Sequence, residues 1–321
     1  MSWSDPELQR IGHVTLVTLS GPIASPTTGP ISTMQPAMRA PAVPSATYMI
    51  PDGQTLPRSL AEAPVGTPSR ANFQHMMLQT ALGGNYLAPV EDPHYILDVG
   101  CGGGRWAYEL AEQFPQSRVV GVDTTPPPTD AAISGIHGLP RPDNLLFKQA
   151  DVLAGLPFAA STFNFVHQRL LALAIPLQAW PHVTAELVRV THPGGWVELV
   201  EGDLVRNGGP ALDTLQQWIT TLARKRGIDP CAGQHIGEML HGAGLHRIVA
   251  HDIELPIGSH GGRFGELMAE DFLARVEQLR TMVVSSGLTT SPEYDRFLAA
   301  LSIEMASYSY TQPFHVAYGQ R

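Results

Sequence analysis

One stretch constrains this chain more than any other: Ile96–Trp106, which reads ILDVGCGGGRW. Tyr95–Val99 is a short, mostly apolar run with Asp98 inside it. A strand covered on both faces reads this way, because neither face has to meet water. Gly100, Gly102, Gly103 and Gly104 follow at once. Glycines let the backbone turn sharply and let a ligand approach it without a Cβ in the way. Ala107–Phe114 then has its apolar positions at helical spacing. Strand, glycine turn and helix are predicted in that order, an arrangement that also serves dinucleotide folds.

By itself the motif fits two cofactors. Gly102-x-Gly104-x-x-Ala107 suits a dinucleotide, and Asp98-x-Gly100-x-Gly102-x-Gly104 suits the S-adenosylmethionine (AdoMet) loop of class I methyltransferases. The order of the later segments decides between them. Arg118–Val122 reads as a second strand ending in Asp123. Pro126-Pro127-Pro128 then prevents an immediate helix, which argues against Asp123 being a helix cap. Asn144–Gln149 is a third strand, with Asp151 just past it, and Thr162–His167 a fourth. A helix over Trp180–Val190, a tight turn at Pro193-Gly194-Gly195 and a fifth strand over Trp196–Glu201 follow. Strands alternating with helices predict an α/β fold, a mostly parallel twisted sheet with helices on both faces.

The set Asp98, Asp123, Asp151 and Pro193-Gly194-Gly195 resembles the ordered series of class I AdoMet-dependent methyltransferases, with Rossmann-like architecture. The resemblance covers Tyr95–Glu201, and Asn164 stands where that superfamily usually has Asp. Tyr48-Met49-Ile50-Pro51, Arg70-x-x-x-Gln74-His75 and Val166-His167-Gln168-Arg169 are similar to the LaeA-like and UMTA-like fungal subfamily, which is associated with secondary metabolism. The resemblance implies that AdoMet is held by Gly100, Gly102, Gly104 and Asp98, with Asp123 and Thr124 at the ribose. It further implies Asp151 and Val152 at the adenine, His167 and Gln168 at the amino end, and Tyr48, Arg70 and Gln74 as a lid over the methionine end.

Composition narrows the partners. A net charge of −9 argues against a nucleic-acid partner. Two cysteines, one inside the glycine turn, fit neither a disulfide framework nor a cysteine metal site, and the thirteen histidines lack metal-ligand spacing. No metal is expected. Ile11–Leu19 is too short to span a bilayer, so no membrane partner and a cytoplasmic location are expected.

The chain divides into a Pro-rich irregular arm (1–45), a lid segment (46–94), a core (95–261 and 307–321) and a helical cap inserted at 262–306. The arm is either a tail without fixed structure or a contact to a second copy, so a homodimer stays open. The cap is read as two helices, Phe264–Val284 and Pro292–Ser307. It is placed over an acceptor pocket at the ends of strands four and five, with Met268, Phe272, Met282 and Met305 in reach.

Methyl transfer from a sulfonium expels a neutral thioether, so the protein supplies mainly alignment. A base is needed only for a hydroxyl, an acidic carbon or a protonated amine. His260, Glu201, His167 and Asp203 are the candidates. The expected activity is AdoMet-dependent methylation of a small-molecule acceptor. The alternatives are a protein methyltransferase, a regulator working through partners, and a non-catalytic AdoMet-binding module.

Overall fold

Five parallel strands and an antiparallel pair make one sheet in the computed structural model, which describes residues 70–126 and 141–321. The strands are β1 (Tyr95–Val99), β2 (Arg118–Asp123), β3 (Leu145–Gln149), β4 (Phe163–Arg169), β5 (Thr191–Gly202), β6 (His246–Ile257) and β7 (Tyr310–Gln320). Their order is β3-β2-β1-β4-β5-β7-β6, with β7 antiparallel to both of its neighbours. The order reverses beside β1, and such a switch point opens a crevice at the carboxyl ends of the strands.

The helices are α1 (Arg70–Leu82), α2 (Arg105–Gln113), α3 (Trp180–Val190), α4 (Pro210–Lys225), α5 (Ile236–Gly242), α6 (Gly262–Ser285) and α7 (Ser291–Met305). In α2, Trp106, Ala107, Leu110 and Ala111 are buried against Ile96, Val119 and Phe165 of the sheet. In α3, Trp180, Val183, Leu187 and Val190 recur at helical spacing and pack on Leu97, Val120, Val166 and Val197. Alternate residues of β1 thus enter two different cores, which is why the strand tolerates no water-facing position.

One sequence expectation changes in detail. The Pro193-Gly194-Gly195 turn lies inside β5 rather than before it: Thr191 pairs with Phe163 and Trp196 with Phe165, so four residues bulge outward. Gly194 turns at φ 83°, and Gly195 has the carbonyl oxygen of Asn164 2.8 Å from where a Cβ would stand. Asn164 accepts the N–H groups of His94 and Tyr95, each at 3.0 Å, so an amide oxygen holds the entry to β1 where the superfamily uses an acid. The two helices read as a cap join a core built with other elements. Phe264, Leu267, Phe272 and Val276 of α6 share a core with Phe73 and Met77 of α1, Leu215 of α4 and Leu301 of α7.

Candidate functional site

The glycine turn is tied to β2. Gly100 and Cys101 both donate their N–H to the carbonyl of Val122, at 2.8 and 2.9 Å. Gly100, Gly102 and Gly104 all take positive φ, 72°, 51° and 77°, which side chains rarely adopt. Among the described residues nothing lies within 4 Å of where a Cβ on Gly102 would stand. Asp123 closes the turn from the end of β2. Its Oδ2 accepts from Gly102 N–H at 3.0 Å and its Oδ1 from Thr125 N–H at 2.9 Å, with the Thr124 hydroxyl at 3.4 Å. Asp151 is exposed past β3 and accepts from Leu153 N–H, capping the short turn that begins at Val152.

Sheet register lines up Asp98, His167 and Glu198 across β1, β4 and β5. All three are buried. The His167 ring stacks on Trp106 at 3.9 Å, with Nδ1 3.4 Å from Asp98 and Nε2 3.9 Å from Glu198. Burial lowers the His167 pKa against the pull of Asp98. The ring is thus sealed in the sheet, which corrects its placement as an acceptor-side base. Glu198 anchors the chain entering β1: its Oε2 accepts from Leu87 and Ala88 N–H at 2.8 and 2.7 Å. Burial outweighs those bonds and pushes its pKa up to about 7.

Next along β4, Gln168 is wholly buried with its amide beside the Glu201 carboxylate, and Oδ2 of Asp98 has no hydrogen-bond partner among the described residues. Buried polar atoms without partners are costly and rare. Gln168 stands opposite Val99, one residue before Gly100. A buried carboxyl oxygen left over beside the glycine turn fits a polar ligand such as AdoMet.

Helix α1 is clipped over β4 by side chains. Arg169 donates to Nδ1 of His75 at 2.9 Å, leaving Nε2–H of His75 to donate to Glu109 at 3.0 Å. Glu109 also accepts from Gln79 at 2.6 Å and Arg105 at 2.5 Å. Burial alone would raise the Glu109 pKa, but the bonds from His75 and Arg105 outweigh it and hold it at about 2. Burial lowers that of His75, in line with a neutral ring. Tyr48 and the side chain of Arg70 lie outside the described residues.

A cavity of 310 Å³ opens at the carboxyl ends of β4 and β5. Its walls are apolar, including Met77, Leu78, Ile219, Met268, Phe272 and Phe314, with Gln74, Glu201, Asp203, Gln312 and the Asp271–Arg275 pair at its polar points. Met268 and Phe272 stand where the sequence put them. Met282 is exposed, and neither it nor Met305 nor His260 is among the lining residues. His260 sits exposed in the turn after β6, its ring folded back toward Gly258, so the structure does not bring it to the acceptor side. Gln74 lines this cavity.

Neither cavity acid is a free base. Glu201 is wholly buried and accepts Leu171 N–H at 3.0 Å and Ala172 N–H at 2.9 Å on separate oxygens, and burial pushes its pKa up to about 7. Asp203 accepts from Leu204 N–H, Arg206 and Gln234 at 2.5–2.6 Å, with His315 at 3.4 Å. Burial would raise its pKa, but these bonds, that of His315 foremost, hold it well below the usual carboxylate range.

Residues 96–195 match the family model for a methyltransferase domain. Over these residues the chain carries a methyltransferase domain. Over 179 residues the chain is 28% identical to methyltransferase str3 of Strobilurus tenacellus, spanning 53% of this chain and 61% of that protein. It is 29% identical over 244 residues to N-methyltransferase sirN of Leptosphaeria maculans, 73% of this chain and 79% of the relative. It is also 27% identical over 201 residues to the secondary metabolism regulator LAE1 of Cochliobolus heterostrophus, 58% of this chain and 62% of that protein. The chain therefore spans less than two thirds of two of these relatives.

Glu198, Glu109 and Leu171 hold the surroundings of the site, and sequence reasoning gave them no role there. Glu198 had a signal, an acid inside the apolar run Trp196–Val200. Glu109 had none, since four residues after Arg105 it reads as a surface helix pair.

Proposed function

We propose that this methyltransferase domain serves an enzyme that methylates a small, largely apolar acceptor held in the 310 Å³ cavity. The observation that carries the reading is adjacency. The turn after β4 lays Leu171 against Gly100 of the glycine turn, while Leu170, Ala172 and Leu173 line the cavity. Ligand sites of this size are mostly apolar with a few fixed polar groups. The names of the relatives, N-methyltransferase sirN and secondary metabolism regulator LAE1, support an acceptor from secondary metabolism.

AdoMet supplies a methyl group on a sulfonium sulfur that departs as a neutral thioether. Asp123 would hold the ribose hydroxyls from the end of β2, and Asp151 with Val152 the adenine. Asp98 and the amide of Gln168 would take the polar methionine end, beside α1. Apolar walls exclude water from the acceptor, and Gln74 and Gln312 orient it. Because the Glu201 and Asp203 carboxylates are already engaged, rate enhancement comes from alignment.

Calorimetry and thermal melts test this. S-adenosylhomocysteine binds the folded chain and raises its stability by about 2.7 kcal/mol at a hundredfold excess over Kd. NAD at the same concentration does nothing. Binding of NAD with no response to S-adenosylhomocysteine overturns the reading.

A further inference from the structure

Between the glycine turn and the cavity runs one short piece of chain, Leu170–Ala172. Leu170 N–H still donates to Val200, continuing the sheet, but Leu170 itself adopts φ 57°, the left-handed region that costs a branched side chain energy. This backbone lies where two functional surfaces meet. On one side, a Cβ on Gly100 would stand 2.8 Å from Cδ1 of Leu171, so the Leu171 side chain rests directly on the glycine turn. On the other side, Leu170 and Ala172 form cavity wall. A left-handed non-glycine residue persists only where its surroundings over-determine it. Here the determinant is the Glu201 carboxylate of the neighbouring strand, with one oxygen on Leu171 N–H and the other on Ala172 N–H. Glu201 is wholly buried, and a buried carboxylate is retained only where it is well bonded.

We propose that Glu201 is a positioning residue: its carboxylate clamps the Leu170–Ala172 turn so that Leu171 is seated on Gly100 and the cavity wall is aligned with the glycine turn. This rests on reading the glycine turn as the AdoMet site and the cavity as the acceptor site. It replaces the general-base role expected from the sequence, because each oxygen already accepts a backbone N–H and the Gln168 amide lies against the same carboxylate. Burial, which pushes the Glu201 pKa up to about 7, gives the clamp a protonated form near neutral pH, but the geometry stands without it.

The variant Glu201→Gln keeps the shape but replaces one acceptor oxygen with an N–H₂ group, which cannot accept from a backbone N–H. Two readouts are taken on wild type and variant: hydrogen exchange at the Leu171 and Ala172 amides, and calorimetric affinity for S-adenosylhomocysteine. The clamp requires at least tenfold faster exchange at one of these amides, exchange in β1 and β2 unchanged, and at least tenfold weaker S-adenosylhomocysteine binding. A merely structural role would instead speed exchange across the sheet in step with a lower melting temperature.

Leu171→Ala, which leaves the Glu201 bonds intact, serves if the first variant does not fold. It is expected to weaken S-adenosylhomocysteine binding about tenfold while the Ala172 amide stays protected. Wild-type affinity in both variants overturns the clamp. Failure of the wild-type protein to bind S-adenosylhomocysteine overturns the cofactor reading beneath it, and the exchange data then judge the clamp by themselves.

Discussion

Gln168 and Glu198 show how a single side chain in a buried strand reports on function. Gln168 is wholly buried beside the Glu201 carboxylate and opposite Val99. Replacing its amide by an apolar group of similar size removes a net hydrogen bond worth about 1 kcal/mol. Gln168→Leu is therefore expected to lose about that much stability and to bind S-adenosylhomocysteine more weakly; a variant that binds normally refutes the assignment. Asp123→Ala is expected to weaken the same ligand by about 1.5–3 kcal/mol, the size of hydrogen bonds to a charged group.

Glu198 predicts a pH dependence. Its pKa is about 7 in the fold, against about 4.3 in an unfolded chain. Between those values the folded state keeps a proton that the unfolded state has released. The contribution of Glu198 to stability is thus fullest below about pH 4.3, declines as pH rises toward 7 and is then level. Urea melts from pH 5 to 8 should show a smaller decline for Glu198→Gln, whose amide oxygen can still accept from Leu87 and Ala88. Equal slopes in the two proteins would count against the buried-acid account.

At the scale of an element, α1 illustrates how a helix is fixed by something other than its apolar stripe. Phe73, Met77 and Leu78 are buried, yet the polar groups His75 and Gln79 tie it to Glu109 of α2 and Arg169 of β4. The Glu109 pKa, held at about 2, lies below its unfolded value. Its stabilisation is present above about pH 4.3 and is lost as pH falls toward 2, the reverse of Glu198. Proteolysis or hydrogen exchange should find α1 opening before the sheet between pH 4 and 2. Glu109→Ala should give the same early opening at pH 7, at a cost of about 1–3 kcal/mol, because His75 and Gln79 of α1 lose their shared acceptor. An α1 as protected as β1 in that variant would show that its apolar contacts suffice.

Over the whole molecule, the cavity and the second core are one construction. Phe272 faces the cavity and also packs beside Tyr310 of β7, at 6.2 Å between ring centroids. Phe272→Ala should cost about 3–5 kcal/mol of stability. It should leave S-adenosylhomocysteine affinity within twofold, since Phe272 belongs to the cavity wall and the second core rather than to the core around the glycine turn. A tenfold loss of that affinity would mean that cofactor and acceptor sites are not separable in this way.

The sheet was legible in the sequence because parallel strands buried on both faces are short apolar runs, and because glycines at Gly100, Gly102 and Gly104 leave few conformations but a turn. The acids at strand ends, Asp123 and Asp151, were legible for the same reason: their positions follow from where each run stops. What sequence alone could not decide is which way a side chain faces once strands are paired. His167, Gln168 and Arg169 are three consecutive residues, and their chemistry is equally inviting on paper. Pairing with β1 and β5 sends His167 against Trp106, sets Gln168 beside Glu201 and opposite Val99, and places Arg169 under α1. Local pattern fixes the strand; the register with its neighbours, with His167 meeting Asp98 across 69 residues of sequence, fixes the environment of each side chain.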